Sequence, residues 1–332
     1  MNQSATGYDI SNWTNAVASV MMFVPNPKLK LSQNSCFGMF FNVTIIYNFV
    51  KYKNQRTSFN FICTIRALNN TFILLVNFIG VFLPATVLGY SIHNPMVETV
   101  IITTALNCNI YNNHQSIYMA VNRFVAIYFP VKYDTFFGMK ATVLVHIIFY
   151  LDRIRNVTFE NLERYEKQNF LVFNVEWLAY GGLIDSQDII FYFAIGLTLI
   201  PFVINIFTFL EFYYLKKRVT RDDSERVKQA RRNMRQFVQT VFQDSMYPIS
   251  VVFNSKLNVL IRHRFWTFFC QTFIWQTLHV LDGLIMGVFN DRIAFLKKYM
   301  KRKIHNLSAS KEVTPPLVVG VQVVPSVAGS PN

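Results

Sequence analysis

Asp, Glu, Lys and Arg are absent from Ala67 to Val97, from Thr99 to Asn122 and from Ile189 to Leu210. The last run, IIFYFAIGLTLIPFVINIFTFL, is apolar almost all round. A helix rises 1.5 Å per residue, so about 20 such residues cross a hydrocarbon core of roughly 30 Å. In lipid a backbone must satisfy its own hydrogen bonds, so runs of this kind fold as helices. Buried helices of a large soluble protein are the competing reading. They average only about 11–12 residues and are usually amphipathic.

The pattern gives an all-α polytopic membrane protein with seven spans. The first is short, Phe37 to Val50. The second runs from about Ile62 to Gly89, the third from about Val97 to Ala120 and the fifth from Ile189 to Leu215. The fourth begins near Ala141 and is weak. The sixth is Phe237 to about Ile261, interrupted by Asp244 and Pro248, and the seventh is Phe265 to Phe289. The N-terminal MNQSATGYDISNW has neither the basic start nor the apolar core of a cleavable signal.

Charged residues make up 15% of the 332, against roughly 25% in soluble domains. The net charge of +14 raises the question of nucleic acid, and the positions of the charges answer it. Alternate loops divide the Lys and Arg residues unevenly, 21 on one side and 9 on the other. The basic side is expected in the cytoplasm, which puts the N-terminus outside. The charge then reads as a topology signal, with no nucleic-acid partner and membrane lipids as the basic face's neighbours. Asn2, Asn12 and Asn156 open N-x-S/T sequons on the outer side and are candidate glycan acceptors. Four scattered cysteines provide neither a disulfide scaffold nor a metal site, and His114 and His279 lack metal-ligand spacing. No metal, cofactor or enzyme constellation is expected.

Seven spans with an outside N-terminus is the layout of G-protein-coupled receptors, and four blocks narrow the family. Asn122-Arg123-Phe124 closes the third span and leads into VAIYFPVKYDTFF. YKNQRTSFNFICTIRALNN precedes FIGVFLPATVLGYS in the second. RRNMRQFVQTVFQDS begins the sixth, and FWTFFCQTFIWQTLHVLDGLIMGVFNDRI forms the seventh and its exit. Together they resemble the serpentine receptor class X family of nematode chemoreceptors over about Phe37 to Lys298. The resemblance implies a chemosensory receptor in the plasma membrane of a sensory-neuron cilium. It also implies a small or volatile ligand and a heterotrimeric G protein as partner. Asn122, Arg123 and Phe124 match the receptor Arg motif at the cytoplasmic end of helix three.

Three features depart from that pattern. MMFVPNPKLKLSQNSC occupies the first half of span one, so residues 1–36 read as an outer segment with an irregular insertion or a misread splice junction. ATVLVHIIFYL in span four is followed at once by Asp152, Arg153 and Arg155. No cysteine lies between Cys108 and Cys270, so the receptor family's disulfide from helix three to the second outer loop is missing and the outer face is expected to be looser. The damaged first and fourth spans also admit a decayed, signalling-incompetent receptor. A transporter or channel is a more distant alternative, since neither inverted repeats nor a line of intramembrane charges is visible.

An ionisable group at membrane depth costs several kcal/mol unless paired. Counting from the flanking loops puts Arg66 at about 9 Å, Asp282 at about 12 Å and Asp244 at about 14 Å from the cytoplasmic side. Similar depth predicts that Arg66 pairs with Asp282 or with Asp244. Such a pair either biases two receptor states or only satisfies charge. Asn109, Asn112 and Asn113 on span three, with Trp275 and Gln276 on span seven, are the ligand-pocket candidates, with interhelical packing as the alternative. Pro201 and Pro248 lie inside spans five and six and are hinge candidates. Residues 290–305 place apolar side chains at helical spacing among basic ones, as in a helix lying on the inner leaflet. The Ser-, Pro- and Val-rich segment 306–332 reads as a disordered cytoplasmic tail.

Overall fold

The computed structural model describes residues 27–53, 56–174, 179–180, 187–218, 224–261 and 263–289. Among them, seven long helices form a bundle. These are α1 (Pro27–Lys51), α2 (Ser58–Leu88), α3 (Pro95–Tyr128), α4 (Met139–Glu166), α5 (Gln187–Arg218), α6 (Ser224–Val252) and α7 (Arg264–Phe289). α1 packs on α2 and α7, α5 on α6, and α3 touches α2, α4, α5 and α6. The chain is an all-α membrane protein.

Among the described residues, three helices are long and apolar enough to cross a bilayer by themselves: Ser58–Leu88, Ala194–Glu211 and Arg264–Phe289. The bent pair Pro130–Phe137 and Met139–Glu166 makes a fourth if taken as one span. α3 is the longest of the described helices at 34 residues, yet it is too polar to stand with these three. Its polar groups turn inward instead: Thr103, Asn107, Asn112, Gln115 and Ser116 are all buried. The apolar residues of α4 and α5 turn the other way. Leu144, Ile147, Ile148, Leu151, Phe202, Phe207 and Phe209 are exposed, as a lipid-facing surface requires.

Two helices differ from the sequence expectation. α1 starts at Pro27, ten residues before Phe37, and its 25 residues span about 37 Å. Proline is well placed in a first turn, where its missing N–H would have no partner. The irregular segment predicted up to residue 36 is therefore helical from Pro27 onward. α4 likewise does not stop at Leu151 but runs to Glu166. Its charges satisfy one another along the helix. Asp152 pairs with Arg153 and with Arg155, Glu160 with Arg164, and Glu163 with Lys167. Residues 1–26, the loop 219–223 and the predicted surface helix and tail at 290–332 lie outside the described residues.

Local signals set the helix ends. Thr57 caps α2 by accepting from the Asn60 N–H, and Asn94 caps α3 by accepting from the Met96 N–H. Gly89 ends α2 at φ +83°, a left-handed conformation that favours glycine. α1 and α7 approach closely at two glycines. A Cβ on Gly283 would lie within 2.8 Å of the Asn42 side chain, and one on Gly38 within 2.9 Å of Val280 and Leu74. Between apolar helices in lipid, close packing of this kind replaces the hydrophobic effect as the source of association.

Two apolar clusters fill the interior. One, built on Leu74, Phe78, Phe82, Ile102, Trp275 and Leu278, lies toward the Glu98 end of α3. The other, built on Ile45, Phe59, Ile62, Met119 and Met286, lies toward the Arg123 end. Along α2, α3 and α7 the residues between these clusters are polar, and they form the site.

Candidate functional site

Arg66 of α2 and Asp282 of α7 meet at 2.7 Å, Nε to Oδ2, with 0% and 1% of their side chains exposed. A pair this deep is costly unless most of its remaining hydrogen-bonding capacity is used, and of the two side chains only Arg66 Nη2 is buried without a partner. Asp282 Oδ2 also accepts from Asn70 Nδ2 at 2.6 Å, and Oδ1 accepts from Gln243 Nε2 of α6 at 2.7 Å. Arg66 Nη1 donates to Ser116 Oγ of α3 at 2.9 Å, and the guanidinium lies 5.0 Å from the Tyr247 ring centre. One ion pair thus joins α2, α3, α6 and α7.

The network continues through amides. Asn112 Oδ1 accepts from Asn69 Nδ2, and Asn112 Nδ2 donates to Asn70 Oδ1, both at 2.9 Å. His279 Nδ1 lies 2.8 Å from the same Asn70 oxygen, which can only accept, so Nδ1 carries the proton. Tyr150 of α4 donates its hydroxyl to Asn69 Oδ1 at 2.8 Å. Sequence reasoning left Arg66 with two possible partners, and the structure places it on Asp282. Asp244 is 5% exposed and accepts from Asn205 Nδ2 at 3.1 Å, without an ion pair among the described residues. It lines a narrow gap with Asn113, Ser116, Thr198, Pro201 and Tyr247.

Toward the other end of α3, Arg123 is 5% exposed and its guanidinium lies 4.3 Å from the Phe59 ring centre. It opens onto a cavity of about 270 Å³ whose wall includes Thr57, Asn122, Pro130, Tyr133, Gln236 and Phe237. Asn122 Oδ1 accepts from the Tyr133 hydroxyl at 3.3 Å. Phe124 points elsewhere and stacks on Tyr128 at 4.3 Å.

The family model described as "Serpentine type 7TM GPCR chemoreceptor Srx" matches residues 33–290. The chain belongs to the Srx chemoreceptors. It is a seven-transmembrane protein of the G-protein-coupled receptor type. Among curated proteins, no sequence matches it.

The remaining sequence-selected residues of this Srx chain fall in different places. Asn112 is in the network, Asn113 lines the narrow gap, and Asn109 is half-buried with its Oδ1 unpartnered. Trp275 is 6% exposed and packs edge-on against Phe78. Gln276 is 1% exposed and donates to Ser35 Oγ of α1 at 2.5 Å. Both seventh-helix candidates are therefore closed into helix packing. Pro201 and Pro248 lie inside α5 and α6. Pro248 frees the carbonyl of Asp244, four residues before it. Asn156 sits within α4 and donates to Asp152 Oδ2 at 3.2 Å, while Asn2 and Asn12 lie outside the described residues.

Sequence reasoning missed Asn69, Asn70, Gln239, Gln243 and Ser116, and it treated His279 as isolated. An uncharged polar residue inside a span carries no mark of its partner. It also expected a looser face where the disulfide is missing. All four cysteines are indeed free, yet hydrogen bonds take over the fastening. Glu98 of α3, 1% exposed, accepts from the Phe173 N–H and from the Ser91 hydroxyl, both at 2.7 Å. Thr99 shares its hydroxyl proton between the Pro95 carbonyl at 2.7 Å and the Leu171 carbonyl at 3.1 Å. Two short strands, β1 (Phe173–Asn174) and β2 (Ala179–Tyr180), pair just after this attachment.

Proposed function

We propose that this Srx receptor detects a small or volatile chemical and activates a heterotrimeric G protein through the face around Arg123. In this reading it sits in the plasma membrane of a sensory-neuron cilium with its N-terminus outside. The single observation that carries the reading is the cavity beside Arg123. It brings the end of α3 together with Gln236 and Phe237 of α6, so movement of α6 would open it. The buried pair would serve as a two-state element, because Asp282 is held by donors from both α2 and α6 and movement of α6 would break one of them. Arg66, Asp244 and Asp282 would bias the active and inactive packings, and Pro201 and Pro248 would be the hinges. The decayed-receptor alternative rests on the weak first and fourth spans: helices of 25 and 28 residues occupy those places, but α1 is not among the described helices apolar enough to cross a bilayer by themselves.

The test is nucleotide exchange on a co-expressed Gα subunit, in cells exposed to a panel of volatile chemicals. Arg123→Ala is expected to abolish the response at unchanged surface expression. A surface-expressed wild-type chain that neither responds nor shows basal exchange would leave the decayed-receptor reading in place.

A further inference from the structure

Asp244 is the buried charge that the ion pair leaves out. Of Arg66, Asp244 and Asp282, two are acids and one is a base, and the base is held by Asp282 at 2.7 Å. Asp244 is 5% exposed, and Asn205 Nδ2 gives its Oδ2 one hydrogen bond at 3.1 Å. Its Oδ1 is buried and receives none. A carboxylate inside a bilayer calls for a cation or a full set of donors.

The groups around it are acceptors as well. Asp244 lines the narrow gap with Asn113 and Ser116 of α3, Leu197 and Thr198 of α5, and Tyr247 of α6. No Lys, Arg or His stands among the residues that line it. Asn113 Oδ1 is itself buried without a donor. The Thr198 hydroxyl spends its proton on the Ile195 carbonyl at 2.9 Å. Ser116, beside the carboxylate, gives its proton to the Asn112 carbonyl at 3.3 Å and takes one from Arg66 Nη1. Pro201 has no N–H, so the Leu197 carbonyl, four residues before it, loses its helical partner. Carboxylate, amide, hydroxyl and main-chain oxygens of three helices thus stand around one gap that no positive side chain enters.

Oxygen-only surroundings of this kind suit a hard cation. Main-chain carbonyls released in interrupted membrane helices coordinate sodium in the same way. Size and charge narrow the choice. The gap has no room for a water molecule, which excludes an organic amine and also potassium, an ion about as large as water. A sodium ion has nearly the radius of calcium, whose oxygens lie at roughly 2.3–2.6 Å, closer than the roughly 2.7–2.8 Å of a hydrogen-bonded hydroxyl. One carboxylate balances one positive charge, whereas calcium sites gather several.

We propose that this gap binds one sodium ion, held by Asp244 Oδ1 and by oxygens of Asn113, Ser116, Thr198 and the Leu197 main chain. The ion offsets the second buried carboxylate and ties α6 to α3 and α5. No residue of α2 or α7 lines the gap, so the site is separate from the Arg66–Asp282 pair. Pro248 stands one turn beyond Asp244, and a swing of α6 about that proline would carry the carboxylate away and release the ion. Binding itself does not depend on the chemoreceptor reading; the role of α6 movement does.

The test is binding of radioactive sodium to the full chain in lipid nanodiscs, together with thermal unfolding in sodium, potassium and choline chloride at one ionic strength. Saturable binding of a single ion per chain is expected, and unlabelled sodium should compete at least tenfold better than potassium. Sodium should raise the thermal midpoint by several degrees over choline, and potassium should not. Asp244→Asn removes the charge and keeps the shape. It should fold as well as wild type without sodium, yet lose both the bound ion and the sodium increment. Asn113→Ala deletes one neutral oxygen and should weaken binding at least tenfold, which keeps the site testable if Asp244→Asn fails to fold. Glu163→Gln, on the exposed end of α4, should change neither readout. No saturable sodium, equal stabilisation by sodium and potassium, or binding that survives intact in both gap variants overturns the site. Neither readout uses an odorant or a G protein. Saturable sodium without nucleotide exchange would count against the signalling reading and leave the ion site standing, and exchange without saturable sodium would do the reverse.

Discussion

The Arg66 guanidinium and the Asp282 carboxylate form a fully buried ion pair at 2.7 Å that ties α2 to α7 at mid-bundle. Each side chain is the other's only ion-pair partner among the described residues. Removing one leaves an uncompensated charge, which typically costs about 3–5 kcal/mol. Replacing both with apolar residues of similar volume removes both charges at once. Arg66→Met and Asp282→Leu should each lower the thermal midpoint of the detergent-purified receptor by several degrees. The double variant should recover much of that loss. Equal loss in the double variant would show that the surrounding amides, and not the charges, hold this region together.

Gln243 donates to Asp282 Oδ1 at 2.7 Å, and Gln239 donates to Gln243 at 3.3 Å, so α6 reaches the ion pair through one amide. Gln243→Leu keeps the bulk and removes the donor. If α6 moves when the receptor activates, the variant should raise ligand-independent nucleotide exchange severalfold while surface expression stays near wild type. Unchanged basal exchange at normal expression would make this contact a static one.

The two charges of the pair were legible in the sequence, because ionisable residues stand out inside apolar runs and counting turns gives their depth. The amides were not. Asn69, Asn70, Asn112 and Gln243 look alike in sequence, and only the packing tells which oxygen meets which nitrogen. Helix α1 was hidden for a different reason. Pro27, Lys28 and Lys30 break the apolar pattern, although proline suits the first turn of a helix. Glu98 left a signal that went unused, as the lone acid between two charge-free runs. A charge in that position needs a reason, and the reason is the Phe173 N–H.

Glu98 and Thr99 supply by hydrogen bonds what a disulfide would supply covalently. Glu98→Ala removes the acceptor that holds both Phe173 and Ser91, a loss of roughly 1–3 kcal/mol locally. Amide hydrogen exchange at residues 171–174 should quicken at least tenfold in that variant, while amides around Asn112 stay protected. Glu98→Gln retains an acceptor oxygen and should show an intermediate rate. Unchanged exchange at 171–174 in Glu98→Ala would mean that the apolar burial of Leu171 and Phe173 fastens the segment without the carboxylate.

The orientation of the bundle follows from whether α1 crosses the bilayer. Its 25 residues make about 37 Å of helix, longer than the roughly 30 Å hydrocarbon core, but its polar first turns keep it out of the helices apolar enough to cross by themselves. Glycine contacts at Gly38 and Gly283 seat it against α7. A helix inserted in that way leaves Asn12 on the side opposite the basic loops, where the sequon can be glycosylated. A glycan shift at Asn12 that Asn12→Gln removes, together with a C-terminal tag reachable only after permeabilisation, is the expected result. Gly283→Leu, which drives a side chain into Asn42, should reduce the glycosylated fraction by loosening α1 from α7. An unglycosylated Asn12 with the tag still inside would mean that α1 stays out of the bilayer and that the chain has six spans.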